Sequence, residues 1–71
     1  MTNQELKQFR DKNKLTQKDL SLFLGYKDPN TIQKWEYGIL KIPVLVERTL
    51  KLFDELNETE KEKFILNFTK H

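Results

Sequence analysis

The 71-residue sequence predicts an all-α fold built from five short helices. Residues that suit helix starts and helix ends recur along the chain, and the apolar residues between them are spaced three and four apart. No segment has the convincing pattern of a strand. A chain of this length forms at most one domain, so we expect residues 1–71 to be a single domain.

The first two helices each begin at a threonine. Thr2 opens a T-x-x-E capping box, which satisfies free backbone N–H groups at a helix start, and the helix that follows is expected to run to about Asn13. Thr16 is a suitable N-cap for a second helix over Gln17–Leu24. Gly25 follows at the position where a helix end favours a left-handed residue.

The third helix has the strongest predicted start in the chain. Asp28 can cap it, and Pro29 suits the first helical position because its missing N–H is not needed there. We expect this helix to span Asp28–Tyr37 and to end before Gly38. Its inward stripe has the i, i+3, i+4, i+7 spacing and consists of Ile32, Trp35, Glu36 and Ile39.

The last two helices are the most apolar part of the sequence. Pro43 is expected to begin a fourth helix that runs to about Leu56, and a second capping-box candidate over residues 57–60 opens a fifth helix over about 58–69. So much apolar surface in 30 residues should not stay exposed. The fifth helix could fold back and close the core, it could form a two-fold dimer interface, or it could do both.

Two charges lie on otherwise apolar helix stripes. Arg10 lies four residues after Leu6 on the first helix, and Glu36 lies beside Trp35 on the third. A lone buried charge is costly, so one interpretation is that the two form a bidentate ion pair. The alternative is that both lie at stripe edges and reach water.

Composition narrows the function classes. The chain lacks cysteine, and its single histidine is His71, so the sequence offers no catalytic set, metal cluster or phosphate loop. We therefore expect no enzyme, cofactor, metal or small-molecule ligand. No apolar run approaches a membrane span, and the polar N-terminus lacks the core of a signal peptide. Residues 1–41 carry eight basic and five acidic side chains, whereas residues 42–71 carry five and six, so a nucleic-acid partner would meet the first part.

Four segments together resemble the Cro/C1-type, or XRE, helix-turn-helix family: Leu15–Leu20, Leu24–Tyr26, Thr31–Gly38 and Ile42-Pro43. The resemblance covers about residues 4–56, and Ser21 replaces the usual alanine. It implies a lambda-repressor-like bundle and a cytoplasmic transcriptional regulator, as in bacteria, phages and mobile elements, that binds a palindromic operator as a homodimer. By the same resemblance, Arg10 is the arginine that pairs with the glutamate of the W-E motif.

The resemblance implies that the third helix enters the major groove. Its outer face is also what an ordinary solvated helix would carry, so the family match is what favours DNA contact. The expected base-reading residues are Asn30, Thr31, Gln33, Lys34 and Gln17, because amides can pair with adenine and lysine with guanine. The expected phosphate contacts are Thr16, Lys18, Lys27, Tyr37 and Lys41.

The predicted dimer interface lies in the last two helices and consists of Leu52, Leu56, Phe64, Ile65 and Phe68. An alternative remains open for this surface. The chain could be an antitoxin-type protein whose apolar C-terminal helices bind a partner protein, with DNA binding serving its own regulation.

Overall fold

The computed structural model describes residues 1–69, with side chains described for residues 1–67, and it consists of five helices without a strand in that part of the chain. The helices are α1 (Asn3–Lys12), α2 (Gln17–Leu24), α3 (Asn30–Glu36), α4 (Val44–Asp54) and α5 (Glu58–Thr69). The all-α prediction is confirmed. The predicted bounds of α3 and α4 were too wide, since α3 begins two residues and ends one residue inside the expected span and α4 ends before Leu56.

Three helices begin with reciprocal capping boxes. In each, the side chain of the N-cap residue accepts from the backbone N–H three residues later, and the side chain of that later residue accepts from the N–H of the N-cap residue. The Thr2 and Glu5 hydrogen bonds at α1 measure 2.8 and 3.1 Å. Thr16 forms the same arrangement at α2, with Asp19 at 3.1 and 3.0 Å. Asn57 and Glu60 form the third at 3.3 and 2.9 Å. These local bonds explain why the starts of α2 and α5 lie where the sequence predicts them.

The first three helices end in the same way, with a residue in the left-handed region. This residue is Gly25 after α2 and Gly38 after α3, with φ of 87° and 75°. After α1 it is Lys14, with φ of 56°. In each case the N–H of the next residue donates to the carbonyl five residues earlier, at 2.8, 2.8 and 2.9 Å. This arrangement is the Schellman motif. Of the three left-handed residues, only Lys14 has a side chain, so only there does the left-handed conformation carry a steric cost.

The core contains apolar residues from each of the first four helices and from the connections between them. Phe53 of α4 lies at its centre, with ring centroids 5.8 Å from Phe9, 5.1 Å from Phe23 and 6.4 Å from Phe64. These edge-on contacts join α1, α2 and α5 to α4. The buried core residues are Leu6, Phe9, Leu15, Leu20, Ile32, Trp35, Ile42, Val46, Leu50 and Phe53.

Ile39 corrects one part of the predicted apolar stripe. The i+7 spacing placed it inward with Trp35, but its side chain is 67% exposed. The reason is that α3 ends at Glu36 and the chain reverses at Gly38, so helical spacing no longer applies at residue 39. Leu45 of α4 is also 76% exposed, although it lies in one of the two helices that the sequence makes most apolar.

The fifth helix packs against α2, contacts α4 through the Phe64 and Phe53 rings, and includes a buried lysine. Lys61 is only 7% exposed; its Nζ lies 3.5 Å from Asp54 Oδ1 and 5.7 Å from the centroid of the Phe53 ring. Lys12 of α1 reaches the same carboxylate oxygen at 3.6 Å. The predicted interface residue Phe68 lies outside the described side chains. Across residues 1–69, none of the helices has the length and apolar character needed to cross a membrane.

Candidate nucleic-acid interface

The inner face of α3 is anchored by two fully or nearly buried side chains. Ile32 and Trp35 both belong to the core, as their spacing predicts. The Trp35 ring meets Tyr26 edge-on, with centroids 5.6 Å apart. Because Tyr26 lies two residues beyond the end of α2, this contact joins the connection between the two helices to the inner face of α3.

A carboxylate at the end of α3 joins three helices. Arg10 Nε and Nη2 donate to Glu36 Oε2 and Oε1 at 2.8 and 3.2 Å, which is a bidentate pair. Gln17 Nε2 donates to the same Oε1 at 3.2 Å. Arg10 Nη1 also donates to the carbonyl of Leu15 at 3.1 Å, which holds the α1–α2 connection. The structure therefore brings Arg10 of α1, Gln17 of α2 and Glu36 of α3 together.

The electrostatics of this cluster favour the charged pair. The Glu36 side chain is 6% exposed, and burial by itself would raise the pKa of the carboxyl. The hydrogen bonds from Arg10 and Gln17, with the Arg10 charge, outweigh that burial and lower the pKa of Glu36 below 4.5. The hydrogen bond to Glu36 correspondingly raises the pKa of Arg10. Among the described side chains, no buried nitrogen or oxygen lacks a hydrogen-bond partner.

Both ends of α3 are satisfied by side chains. At its start, the backbone N–H of Asn30 donates to Asp28 Oδ1 at 2.9 Å, although Pro29 rather than Asp28 occupies the N-cap position and the helix begins at Asn30. At its end, Asn3 Nδ2 of α1 donates to the carbonyl of Glu36 at 3.2 Å. A seven-residue helix is too short to be stable alone, so these contacts define it.

The outer face of α3 presents polar groups. Asn30 and Lys34 are exposed, and Thr31 and Gln33 are half-buried at the flanks. A short polar helix held by its inner face, and preceded by a second helix that it crosses, is the arrangement that places side chains in a major groove.

The family model described as Helix-turn-helix matches residues 6–62. The chain belongs to the Cro/C1-type helix-turn-helix family. It is accordingly a DNA-binding regulator of transcription, and the family is generally non-enzymatic. No curated protein and no solved structure matches the chain significantly.

In this helix-turn-helix protein, α3 is the helix that the sequence predicts to enter the major groove, and α2 precedes it. All the side chains that the sequence predicted to contact phosphate are exposed: Thr16, Lys18, Lys27, Tyr37 and Lys41. Thr16 also has a structural role, because its hydroxyl oxygen accepts from the N–H of Asp19. Gln17 differs from the other predicted base-reading residues because its side-chain amide donates to Glu36.

Sequence reasoning missed two polar contacts of α3. The bond from Asn3 to the carbonyl of Glu36 has no sequence signal, because it joins residues 33 apart through the backbone. The bond from Gln17 to Glu36 could be foreseen in part. A buried carboxylate has more acceptor sites than one arginine fills, so a second donor to Glu36 was to be expected, although the sequence did not identify it as Gln17. Within the described residues, no group of three or more histidine, cysteine or acidic side chains could hold a metal ion.

Proposed function

We propose that this helix-turn-helix protein is a sequence-specific repressor that binds a palindromic operator as a homodimer, with α3 in the major groove. The observation that carries the proposal is the fixed recognition helix. Its inner face is anchored through Ile32, Trp35 and the Arg10–Glu36 pair, and its outer face is left polar. A preorganised reading helix reduces the cost of ordering side chains on binding.

The proposed base-reading residues lie along that outer face. Asn30 and Gln33 carry amides that can pair with adenine, and Lys34 can reach the acceptors of guanine. Thr31 lies beside Asn30 and can contact either a base or the thymine methyl group. Each well-formed contact of this kind discriminates against a wrong base by about 1–3 kcal/mol.

The proposed phosphate contacts surround the recognition helix in sequence. Lys18 lies on α2, Lys27 precedes α3, and Lys41 follows it. Thr16 and Tyr37 add exposed hydroxyl groups that can donate to phosphate oxygens. These groups position the protein on the duplex, whereas the base-reading residues choose the sequence.

The proposed homodimer uses an apolar groove between α4 and α5. The groove has a volume of about 230 Å³ and is lined by Phe23, Thr49, Leu52, Phe53, Leu56 and Phe64. Leu52 at its rim is 65% exposed and Phe64 is 43% exposed. Leu56 and Ile65 are half-buried against the core of their own chain, so they would contribute only part of their surface. Phe68 remains a sequence-based member of this interface.

Selection of binding sites from random double-stranded DNA tests the DNA-reading part of the proposal. We expect an inverted repeat whose half-sites are about 34 Å, or one DNA turn, apart. We expect affinity to fall steeply with salt, since about 0.9 counterions are released per phosphate contact. Selection of no sequence, or affinity that barely changes with salt, would contradict the proposal.

Two lysine variants separate reading from positioning. Lys34→Ala should change the selected bases, because Lys34 lies on the outer face of α3. Lys41→Ala should weaken binding to all sequences and reduce the salt slope by about one. If both variants weaken binding uniformly, the division between base-reading and phosphate-contacting residues is wrong.

Sedimentation of the purified protein tests the dimer. Leu52→Lys should convert a dimer to a monomer, because it places a charge in the apolar groove. Leu45→Lys is the matched control, since Leu45 is an exposed leucine of the same helix outside the groove lining. Dissociation by Leu45→Lys alone would place the interface at the start of α4. A monomeric wild-type protein would instead favour the alternative of a C-terminal surface that binds another protein.

A further inference from the structure

We infer that α4 packs antiparallel against α4 of a second copy of this chain, with Arg48 of each protomer paired to Glu55 of the other. The inference deepens the proposed function, because it rests on the proposed homodimer and names the residues that set how the two copies are oriented. It adds two charged residues to the apolar groove between α4 and α5.

Helix α4 has a second apolar stripe besides the one that faces the core. This stripe has the spacing of three and four residues and consists of Thr49, Leu52 and Leu56, which also line the groove. Leu52, in its middle, is 65% exposed. The Thr49 hydroxyl donates to the carbonyl of Leu45 at 2.8 Å, so it brings no unsatisfied donor to the stripe. The stripe is therefore suited to pack against another helix.

Two opposite charges lie beside Leu52 on the side away from the groove. Arg48 is four residues before Leu52 and Glu55 is three residues after it, and Glu55 keeps helical backbone angles, with φ of −80° and ψ of −11°. A rotation of about 100° per residue places both on one flank of Leu52, with Thr49 and Leu56 on the other. Both charged side chains are exposed.

These two charges do not pair within one protomer. Arg48 and Glu55 are about 10 Å apart along the helix axis, which is two turns. Within the part of the chain that the structure describes, neither side chain forms an ion pair or a hydrogen bond. Both are therefore available to a partner that carries the opposite charge at each place.

A second copy has this pattern when the two helices run antiparallel about a two-fold axis at Leu52. In such a pair, a residue before Leu52 faces a residue that follows Leu52 by a similar number of positions in the other copy. Arg48 thus lies beside the other copy's Glu55, and the axis repeats the contact. On the groove side, Thr49 and Leu56 meet in the same way.

The charges also select against the parallel arrangement. About an axis parallel to α4, each residue would face its own counterpart, so Arg48 would face Arg48 and Glu55 would face Glu55. Like charges in contact are costly, whereas opposite charges fix the register of an interface. Leu45 stays outside the antiparallel contact, because it precedes Leu52 by seven positions and α4 ends at Asp54.

Charge reversal followed by sedimentation of the purified protein tests the inference without DNA. Arg48→Glu and Glu55→Arg should each raise the Kd of the dimer about a hundredfold, about tenfold for each of two symmetric contacts. Neutralising one charge is a weaker test, because the loss of an exposed ion pair has little effect by itself. The double variant Arg48→Glu/Glu55→Arg should regain the wild-type Kd, since opposite charges meet again.

A mixture of the two single variants provides a test that does not depend on the double variant. One variant is acidic at both positions and the other is basic at both, so an equimolar mixture should form a heterodimer with a Kd near that of wild type. Lys51→Glu is the control, because Lys51 is exposed on the same helix but lines a cavity with Glu5 on the α1 side. It should leave the Kd unchanged.

The outcomes distinguish this inference from the proposed function. A wild-type dimer whose Kd is the same in both reversal variants would overturn the inference and leave the homodimer in place. Dissociation of the single variants without recovery in the double variant or in the mixture would also overturn it, because the two charges would then not be paired. A monomeric wild-type protein would overturn the inference and the proposed homodimer together, whereas a failure of DNA selection would leave the sedimentation result unaffected.

Discussion

The proposed recognition helix α3 and the C-terminal helix α5 are held to the same core by different kinds of contact. The seven-residue α3 ends in a buried carboxylate with three hydrogen bonds and has a second polar contact from Asn3. The twelve-residue α5 packs through apolar side chains and one buried lysine, whose partner Asp54 is about one-third exposed. The shorter helix therefore has the more directional attachment.

This difference suits the two proposed roles. Sequence reading requires side chains at fixed positions, and directional bonds provide that precision. A helix that closes a core and offers an apolar groove needs burial more than an exact angle, because small shifts change apolar contact only gradually. Variants that remove one contact at a time test this difference between the two helices.

The largest expected effect is that of Arg10→Met. It leaves the Glu36 carboxylate buried without its charged partner, so we expect a loss of about 3 kcal/mol in the free energy of unfolding. Urea unfolding followed by the fluorescence of Trp35, which is the single tryptophan and lies next to Glu36, would measure it. Arg48→Met is the control, because Arg48 is the other arginine and is exposed. Equal urea midpoints for Arg10→Met and wild type would refute the stabilising role of the pair.

A smaller effect should follow from acid. The folded-state pKa of Glu36 is lowered, so its stabilising contribution is complete above about pH 4.5 and is lost as pH falls through the folded pKa. Urea unfolding between pH 3 and pH 7 should therefore show a shallower acid dependence for Glu36→Gln than for wild type. The pKa values of Glu5 and Glu47 are also lowered, so some acid dependence should remain. If Glu36→Gln and wild type lost stability equally between pH 7 and pH 3, Glu36 would not contribute to the acid dependence.

A gain of about 1 kcal/mol is expected for Lys14→Gly, because glycine adopts the left-handed conformation without the steric cost of a Cβ atom. The matched change is Gly25→Ala, where no atom lies within 4 Å of the added Cβ. Its expected loss of about 1 kcal/mol thus measures backbone conformation alone. Thermal denaturation by circular dichroism would compare the two, and destabilisation by Lys14→Gly would contradict the steric argument.

The smallest expected effect is that of Lys61→Met, within about 1 kcal/mol of wild type. Methionine retains an apolar stem against Phe53, and Asp54 keeps Lys12 and partial contact with water. Chemical denaturation would measure the change. A loss as large as that of Arg10→Met would show that α5 depends on its ion pair as much as α3 does, and the comparison between the two helices would fail.

Much of the fold could be predicted from the sequence because its signals are local. Capping residues and apolar spacing lie within one or two helical turns of the boundaries that they determine, as at Thr16 and Asn57. The Arg10–Glu36 contact was also within reach, because two lone charges on apolar stripes are best satisfied by each other.

The remaining features depend on how the helices pack. The burial of Lys61 requires knowing that Asp54 and Phe53 lie beneath α5. Ile39 is exposed because the chain reverses at Gly38, and a prediction from helical spacing does not include that reversal. Whether Gln17 reaches Glu36 depends on the angle between α2 and α3. The spacing of apolar residues within each helix does not predict that angle.

The buried carboxylate has a consequence for the folding of the reading surface. Its partners Arg10 and Gln17 lie 26 and 19 residues away along the chain, and Asn3 contacts the same residue from 33 residues away. A helix as short as α3 cannot persist without such contacts. Partly folded chains in which α1 has not docked will therefore lack a stable α3, so we expect DNA binding to appear only after α1, α2 and α3 have assembled together.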